Sequence, residues 1–562
     1  MSSATPTSGP TRTRRLPLAA ALRPRRPSDI WFKPALSSVA SLAPPTLTLL
    51  ALGRLDLAMY TMAGSMCALY AHNRPYAARA RVLVWVILGM VGGLAVALVT
   101  ASLTDDAVVL VAVGALLAAA QKTLCDATRV GPPGNVVLTF ISSAALFVPQ
   151  TLGQIPGHLG LALAAGAWAW IVGMAPGLVR PHGPERRATA AALYAAAAYA
   201  DTRGTGDGHA GARAAGYAAV QAAWQALLAV PASGARAATR RALERLVVRA
   251  EVALAAPADT DPERLRGWAR DLRGTGRVPR TGDSAADTEE LLGVEAELTA
   301  GPRSLWHRAG PLAPIAVRTA LGCALAGWAS LAIGVGRPYW ALVTAAALYQ
   351  ANLTLTWSRT VQRVVGNFAG VLLFAVVAPV AHLHQAFLVV FCLACAFGAE
   401  AFISRNYWLG TVCVTPMALL ISEFARYQDP GELITERVLD TVVGAVVGLL
   451  AAMAVTNRRA ASRVEEAVTA ADRAREHAAR LLAGPHPDPA ALETARRALA
   501  AALTDLRATA DAAAGEWWQR ALPQERVVLA EQAGHRTLAA TVRRRTAGAD
   551  QDSGTTTEDA KP

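Results

Sequence analysis

The sequence predicts an all-α polytopic membrane protein: two six-helix transmembrane blocks, each followed by a cytoplasmic α-helical domain. Three observations carry that reading. Charged residues make up 17% of the 562 residues, while AVILMFWYC make up 53%; an ordinary soluble domain has about 25% charged residues. Stretches 35–53, 107–121, 136–149 and 161–179 hold no Asp, Glu, Lys or Arg, and an uncharged apolar run of about 18 residues can cross a bilayer as a helix. The loops alternate in charge. With the N-terminus inside, the loops after even-numbered spans are cytoplasmic, and these are the basic ones. They carry Arg74, Arg79 and Arg81; Lys122 and Arg129; Arg180; Arg359 and Arg363; Arg405; and Arg458 and Arg459. The outer loops carry Asp105, Asp106, Glu423, Asp429 and Glu432. That is positive-inside asymmetry in both halves.

The elements follow in order. Residues 1–33 read as a disordered basic cytoplasmic tail, with Arg12, Arg14, Arg15, Arg23, Arg25 and Arg26 ahead of the first acid, Asp29. Such a tail rests on anionic lipid heads, and no cleavage site marks it as a signal peptide. The first block, 34–180, has spans at 35–53, 56–71, 82–103, 107–122, 134–150 and 161–179. The count falls to ten overall if Pro-broken spans such as 35–53 are re-entrant. The domain at 181–310 reads as helices over 189–201, 211–229, 235–256 and 289–300, separated by Gly- and Pro-rich breakers. The second block, 311–455, has spans at 312–334, 338–356, 364–381, 385–403, 407–422 and 436–455. Residues 456–546 form the second helical domain, where Trp517 and Trp518 anchor packing, and 547–562 form a disordered polar tail.

Several function classes drop out. The net charge of +13 belongs to topology, so no nucleic-acid partner is expected; the lipid bilayer is. No GxxxxGK[ST], HExxH or GxSxG occurs, so the chain reads as no enzyme and no ATPase, and without cofactors. Cys392 and Cys395 have CxxC spacing but sit in an apolar helix, where thiols act as small apolar filler. His382 and His384 form a loop pair with no further ligand cluster, so no metal site is expected.

Charged and polar groups inside spans are costly and mark function. Arg318 and Glu400 lie at similar depth in spans seven and ten, which allows a salt bridge or a proton-coupled anion site. Near the outer side, Arg337 faces Glu436, Arg437 and Asp440, and it can pair with Glu436 or with Asp440. Arg359 and Arg363 are spaced i, i+4 at the inner mouth, on one helix face, and paired guanidinium groups suit a carboxylate. Gln350, Asn352, Thr354 and Thr356 make the inner end of span eight polar, and Asn367 and Asn406 add amides nearby. The inner half of spans eight to ten is therefore the best hydrophilic path. Gly89/Gly93, Gly366/Gly370 and Gly444/Gly448 have the GxxxG spacing of close helix packing.

The second block resembles the fusaric-acid-resistance or aromatic-acid-exporter type of membrane protein. The resemblance rests on Arg318 in Val317–Leu321 and on the aromatic-Trp step Gly336-Arg337-Pro338-Tyr339-Trp340. It continues through Arg359 and Arg363-Val364-Val365-Gly366, Asn406-Tyr407-Trp408, Val414-Thr415-Pro416 and Glu436-Arg437-Val438-Leu439-Asp440. The first block matches only through Arg79, Arg81, Gly89 and Gly93. The resemblance implies an efflux permease or anion conduit for small carboxylates in the cell membrane. Its pathway candidates are Arg318, Arg337, Trp340, Asn352, Arg359, Arg363, Asn367, Glu400, Arg405, Thr415, Arg437 and Asp440. The partner expected is a small organic anion, with a homo-oligomer as a further possibility from the Ala/Arg/Glu-rich soluble helices. The competing readings are an anion channel and a non-transporting scaffold whose helical domains recruit partners.

Overall fold

The computed structural model describes residues 18–24, 30–128, 130–131, 133–202, 207–229, 235–255, 257, 260–274, 276–279, 312–350, 352–455, 460–485, 488–514, 526–531, 533–538 and 540–541. Arg129, Arg458, Arg459, Trp517, Trp518 and the expected helix 289–300 lie outside them. Among the described residues all regular structure is helical.

A short helix α1 (Leu18–Leu22) precedes the first apolar stretch. That stretch comprises α2 (Phe32–Ala51), α3 (Ala58–Ser65), α4 (Tyr76–Leu103), α5 (Ala107–Thr128), α6 (Val136–Leu146), α7 (Ile155–Met174) and the short α8 (Pro176–Val179). Helices α9 (Gly183–Asp201), α10 (Asp207–Leu228), α11 (Ala235–Ala255) and α12 (Pro262–Arg273) form the central unit. The second apolar stretch comprises α13 (Ala313–Ala332), α14 (Tyr339–Leu348), α15 (Leu353–Ala381), α16 (Gln385–Ile403), α17 (Tyr407–Ser422) and α18 (Pro430–Ala454). Helices α19 (Ala460–Ala483) and α20 (Pro489–Ala514) open the last unit.

Eight of these helical segments are long and apolar enough to cross a membrane, and four apolar ones are shorter: Leu55–Leu69, Val136–Leu146, Tyr339–Leu348 and Tyr407–Ser422. The order in both stretches is long, short, long, long, short, long. At about 1.5 Å per residue, a ten-residue helix reaches about half of a hydrocarbon layer ~30 Å thick, so apolar content alone overstates the number of full-length spans. The helix with Pro44 and Pro45 is not broken: α2 runs unbroken from Phe32 to Ala51.

The short helices end for local reasons. Helix α3 tightens into a 3-10 turn (Met66–Leu69) and stops at extended Tyr70, followed by Ala71 at φ +60°. Helix α14 stops at extended Tyr349, and Asn352 then caps α15 by accepting the Leu355 N–H at 2.8 Å. Both ends carry the same pattern, Ala68-Leu69-Tyr70-x-x-Asn73 and Ala347-Leu348-Tyr349-x-x-Asn352. This internal repeat marks corresponding points of the two stretches.

The stretches also pack reciprocally. The fourth helix of the first, α5, lies against the first helix of the second, α13, and the fourth helix of the second, α16, lies against α2. Each stretch thus sets its fourth helix against the first helix of the other. Trp328 on α13 donates to the Val108 carbonyl of α5 at 3.2 Å. One buried apolar cluster runs through both stretches, from Leu42 and Leu94 to Trp340 and Leu388. Outward-facing Trp85, Leu116, Leu372 and Val376 are exposed, as lipid contact requires. All six cysteines are free, with Cys392 and Cys395 buried.

Both helical units leave from one end of the bundle, called the domain end below. Lys33, Arg79, Arg180 and Arg187 gather there, close enough to act on one another's charge. Each unit has its own core, one on α9–α12 and one on α19, α20 and the helical segments 526–531 and 533–538. They meet through a buried network. Arg496 binds Glu251 of the other unit and Glu493, Trp224 donates to Glu251 at 2.6 Å, and Arg497 lies 4.6 Å from the Trp224 ring centre. The Tyr217 and His535 rings meet at a tilt across the same seam, their centres 4.9 Å apart, and burial pushes His535 down to about 4, so its ring is neutral at neutral pH.

Leu18–Pro24, expected within a disordered tail, is ordered. Ala21 is buried against the second stretch, and the segment is hydrogen-bonded to α15 and to the start of α17.

Candidate functional site

The site is built on α18. Its N-terminus is fixed by Asp429, whose carboxylate accepts the Glu432 N–H at 2.9 Å. Arg437, Asp440 and Thr441 then share one face, at i, i+3 and i+4, turned inward against α13, α14 and α15. Arg437 is 1% exposed and Asp440 0%. The Arg437 guanidinium lies 4.9 Å from the centre of the Trp340 ring, an arrangement that favours a cation over an indole face. Ser330 of α13 donates to Asp440 Oδ1 at 2.5 Å. At this one point Arg437 Nε and Nη1, Trp340 Nε1 and Asp440 Oδ2 are buried with no protein partner among the described residues. Buried polar groups are nearly always paired, so a guanidinium, an indole N–H and a carboxylate oxygen left over together mark this point as the candidate site.

Toward the far end, Arg337 pairs with Glu436 and Gln428, and its guanidinium lies 5.6 Å from the centre of the Trp340 ring. Of the two carboxylates open to Arg337, Glu436 takes it and Asp440 does not. Beside this pair lies a cavity of about 510 Å³ lined by both stretches, by Tyr60 and Met62 of the first, Phe140 and Phe147 of α6 and its end, and Tyr339 and Ile421 of the second.

Toward the domain end the polar line continues. Asn367 of α15 donates to Thr441 Oγ1 at 2.9 Å and accepts from Thr415 Oγ1 at 2.6 Å. One and two turns earlier on the same helix stand Arg363 and Arg359. Arg363 donates to the Tyr407 hydroxyl at 3.0 Å, and Arg359 lies 3.8 Å from the Tyr407 ring centre. The two guanidinium groups thus clamp one tyrosine, one at its edge and one on its face. Arg337, Trp340, Asp440, Arg437, Asn367, Thr415, Arg363 and Arg359 form one track along α14, α15, α17 and α18.

The remaining candidates lie elsewhere. Arg318 and Glu400 do not pair. Arg318 donates twice to the Val455 carbonyl, at 3.1 and 2.6 Å, and so caps the end of α18. Glu400 has no hydrogen bond or ion pair among the described residues and lies near Tyr70 of the first stretch. Equal depth did not bring them together because α13 faces α5, α14 and α18, whereas α16 faces α2, α15 and α17. Asn352 is a helix cap. Arg405 is exposed, 5.8 Å from the Phe402 ring. Sequence reasoning passed over Tyr407, Ser330 and Thr441 as site residues. Thr441 was within reach, one turn after Arg437; nothing in the sequence marks Ser330.

Glycines let α17 approach closely. A Cβ at Gly370 would meet Thr415 Cβ at 2.6 Å and the Val412 carbonyl at 2.9 Å, whereas one at Gly89 would meet nothing within 4 Å. The GxxxG spacing therefore means close packing in α15 but not at Gly89. Gly370→Ala is expected to push α17 off α15, break the Thr415–Asn367 bond and lower the thermal midpoint in detergent by several degrees, an effect of about 2 kcal/mol. Gly89→Ala should leave it unchanged. Equal midpoints for the two variants would refute the close approach.

Residues 324–451 match the family described as fusaric acid resistance protein-like. The second apolar stretch is thus similar to that family over these residues, and Arg337, Trp340, Arg359, Arg363, Asn367, Thr415, Arg437 and Asp440 all fall inside the match. The chain is also 33% identical over 144 residues to "Uncharacterized membrane protein YvaC" of Bacillus subtilis (strain 168), covering 25% of this chain. The chain spans only 22% of that relative's length. No solved structure matches.

Proposed function

We propose that the chain is a membrane transporter that carries small organic anions, aromatic carboxylates foremost, outward along the Arg359–Arg363–Arg437–Arg337 track. In this reading each apolar stretch acts as a six-helix block, and the N-terminus and both helical units are cytoplasmic. The basic cluster Lys33, Arg79, Arg180 and Arg187 at the domain end supports that orientation through the positive-inside rule. The observation that carries the function is the buried Arg437–Trp340–Asp440 point. A guanidinium with free N–H groups beside an indole face suits a flat, negatively charged ligand. Intramembrane charge of this kind is retained for function because it is costly to bury.

The test is uptake or release of radiolabelled benzoate by the purified full chain in liposomes. Arg359→Lys with Arg363→Lys keeps the positive charge that orients the chain but loses the planar fork and the stacking on Tyr407. Insertion should stay intact while benzoate flux falls about tenfold, the equivalent of ~1.4 kcal/mol. Wild-type flux in this variant would move recognition outward, to Arg337 and Asp440. Flux that saturates with benzoate and shows counter-exchange separates a carrier from a channel, and no flux across a panel of carboxylates would leave the scaffold reading.

A further inference from the structure

We infer that Gln362, Asn406 and Trp408 form a second oxygen-binding site at the domain end of the track, distinct from the Tyr407 clamp, which accepts carboxylate oxygens and at rest is plugged by the chain's own Leu18–Pro24. The inference rests on the anion pathway proposed above.

Four hydrogen bonds define the site. Gln362 Nε2 donates to the Ala21 carbonyl at 2.8 Å. Asn406 Nδ2 donates to the Ala21 carbonyl at 3.0 Å and the Arg23 carbonyl at 3.1 Å. Trp408 Nε1 donates to the Leu22 carbonyl at 3.0 Å. Every bond runs from a side-chain N–H to a main-chain oxygen, so the site reads oxygen acceptors and not the identity of the residues bearing them. Converging N–H donors of this kind bind carboxylates as readily as carbonyls. Their positions tie the site to the pathway: Gln362 lies between Arg359 and Arg363 on α15, and Asn406 and Trp408 flank Tyr407 on α17. A carboxylate approaching the clamp from this end meets these donors, and the docked segment already holds them.

The docking is reversible by its energetics. Neutral hydrogen bonds contribute only modestly once exchange with water is counted, and ordering seven residues opposes them. The segment buries little to compensate, since Leu18 is 55% exposed and Ala21 is its one buried side chain. A carboxylate, which accepts more strongly than a carbonyl, can therefore displace it, and rising internal anion would open its own path.

The experiment uses the full chain with Leu18→Cys carrying a spin label. Position 18 is exposed, and the native cysteines are buried or half-buried. The label should be immobile at rest, and should become mobile on adding benzoate or in the Gln362→Ala/Trp408→Phe variant. In liposomes, deleting residues 1–24 should raise the initial rate of benzoate flux several-fold. A label as mobile in the parent chain as in the Gln362→Ala/Trp408→Phe variant, which keeps only the Asn406 donor, overturns the docking. An immobile label with flux unchanged by the deletion overturns the plug. If no form of the chain transports benzoate, the transport reading fails separately; the label then decides this site alone, displacement by benzoate sustaining it and no response overturning it.

Discussion

Asp440→Leu should cost the protein most of its folded yield, and Arg437→Met combined with Asp440→Leu should restore the yield while abolishing benzoate flux. Asp440 is fully buried and provides the negative charge beside Arg437, one turn away on the same helix. Removing it leaves a guanidinium uncompensated in an apolar bundle, which costs about 3–5 kcal/mol. Removing Arg437 alone is milder, because Asp440 keeps its bond from Ser330 and a lone buried carboxyl can neutralise itself by taking a proton. The double change replaces both charges by apolar groups of similar size, which buried ion pairs often tolerate without loss. Size-exclusion yield and thermal midpoint report the fold; flux reports the chemistry. A double variant that folds and transports like the parent would remove this point from the pathway, and one that fails to fold would show that Arg437 and Trp340 hold the bundle for reasons other than charge.

The all-helical, multi-span character of the chain was legible because it follows from long uncharged runs. The number of full-length spans was not legible. Residues 134–150 read as one apolar span and 338–356 as a span with a polar inner end, yet the helices there end at Leu146, in a turn at Phe147, and at Leu348, in extended backbone at Tyr349. Apolar content does not distinguish a helix from an extended segment buried among helices. At the site, composition singled out residues that the structure brings into one line, since Arg337, Arg359, Arg363, Arg437 and Asp440 are rare charges in apolar surroundings. Direction around the helix axis was not legible, because it depends on which neighbours α13 and α16 choose. That is why Arg318 and Glu400 looked like partners. The docked Leu18–Pro24 was hidden for another reason. It is held through its carbonyls, which every residue has, so the sequence carries no mark of it beyond the run Leu18-Ala19-Ala20-Ala21-Leu22.

The sequence puts Arg79 in a basic loop and Arg318 inside a span, but the structure buries both and gives both a tying role of unequal weight. Arg79 is 4% exposed. It donates to the carbonyls of Ala68 at 3.0 Å, Tyr70 at 3.3 Å and Gly173 at 3.0 Å, so it fastens the broken end of α3 to the end of α7. It also meets His72 Nε2 at 3.3 Å. Burial, with the Arg79 charge second, pushes His72 down to about 3, so its ring is neutral at neutral pH and can accept from the guanidinium. Arg79→Gln leaves at least two of these buried carbonyls without a donor, at about 1–3 kcal/mol each. Arg79→Lys keeps the charge but brings a single ammonium to a site built for a planar fork. Both are expected to lower the thermal midpoint sharply and reduce folded yield, with lysine the milder. Arg318 serves one carbonyl, that of Val455, so Arg318→Gln should cost about 1–2 kcal/mol. Among the molecules that still fold, neither change should alter the apparent affinity for benzoate, because neither side chain lies on the track. A normal midpoint with weakened affinity in Arg318→Gln would return that residue to the pathway and make its bond to Val455 incidental.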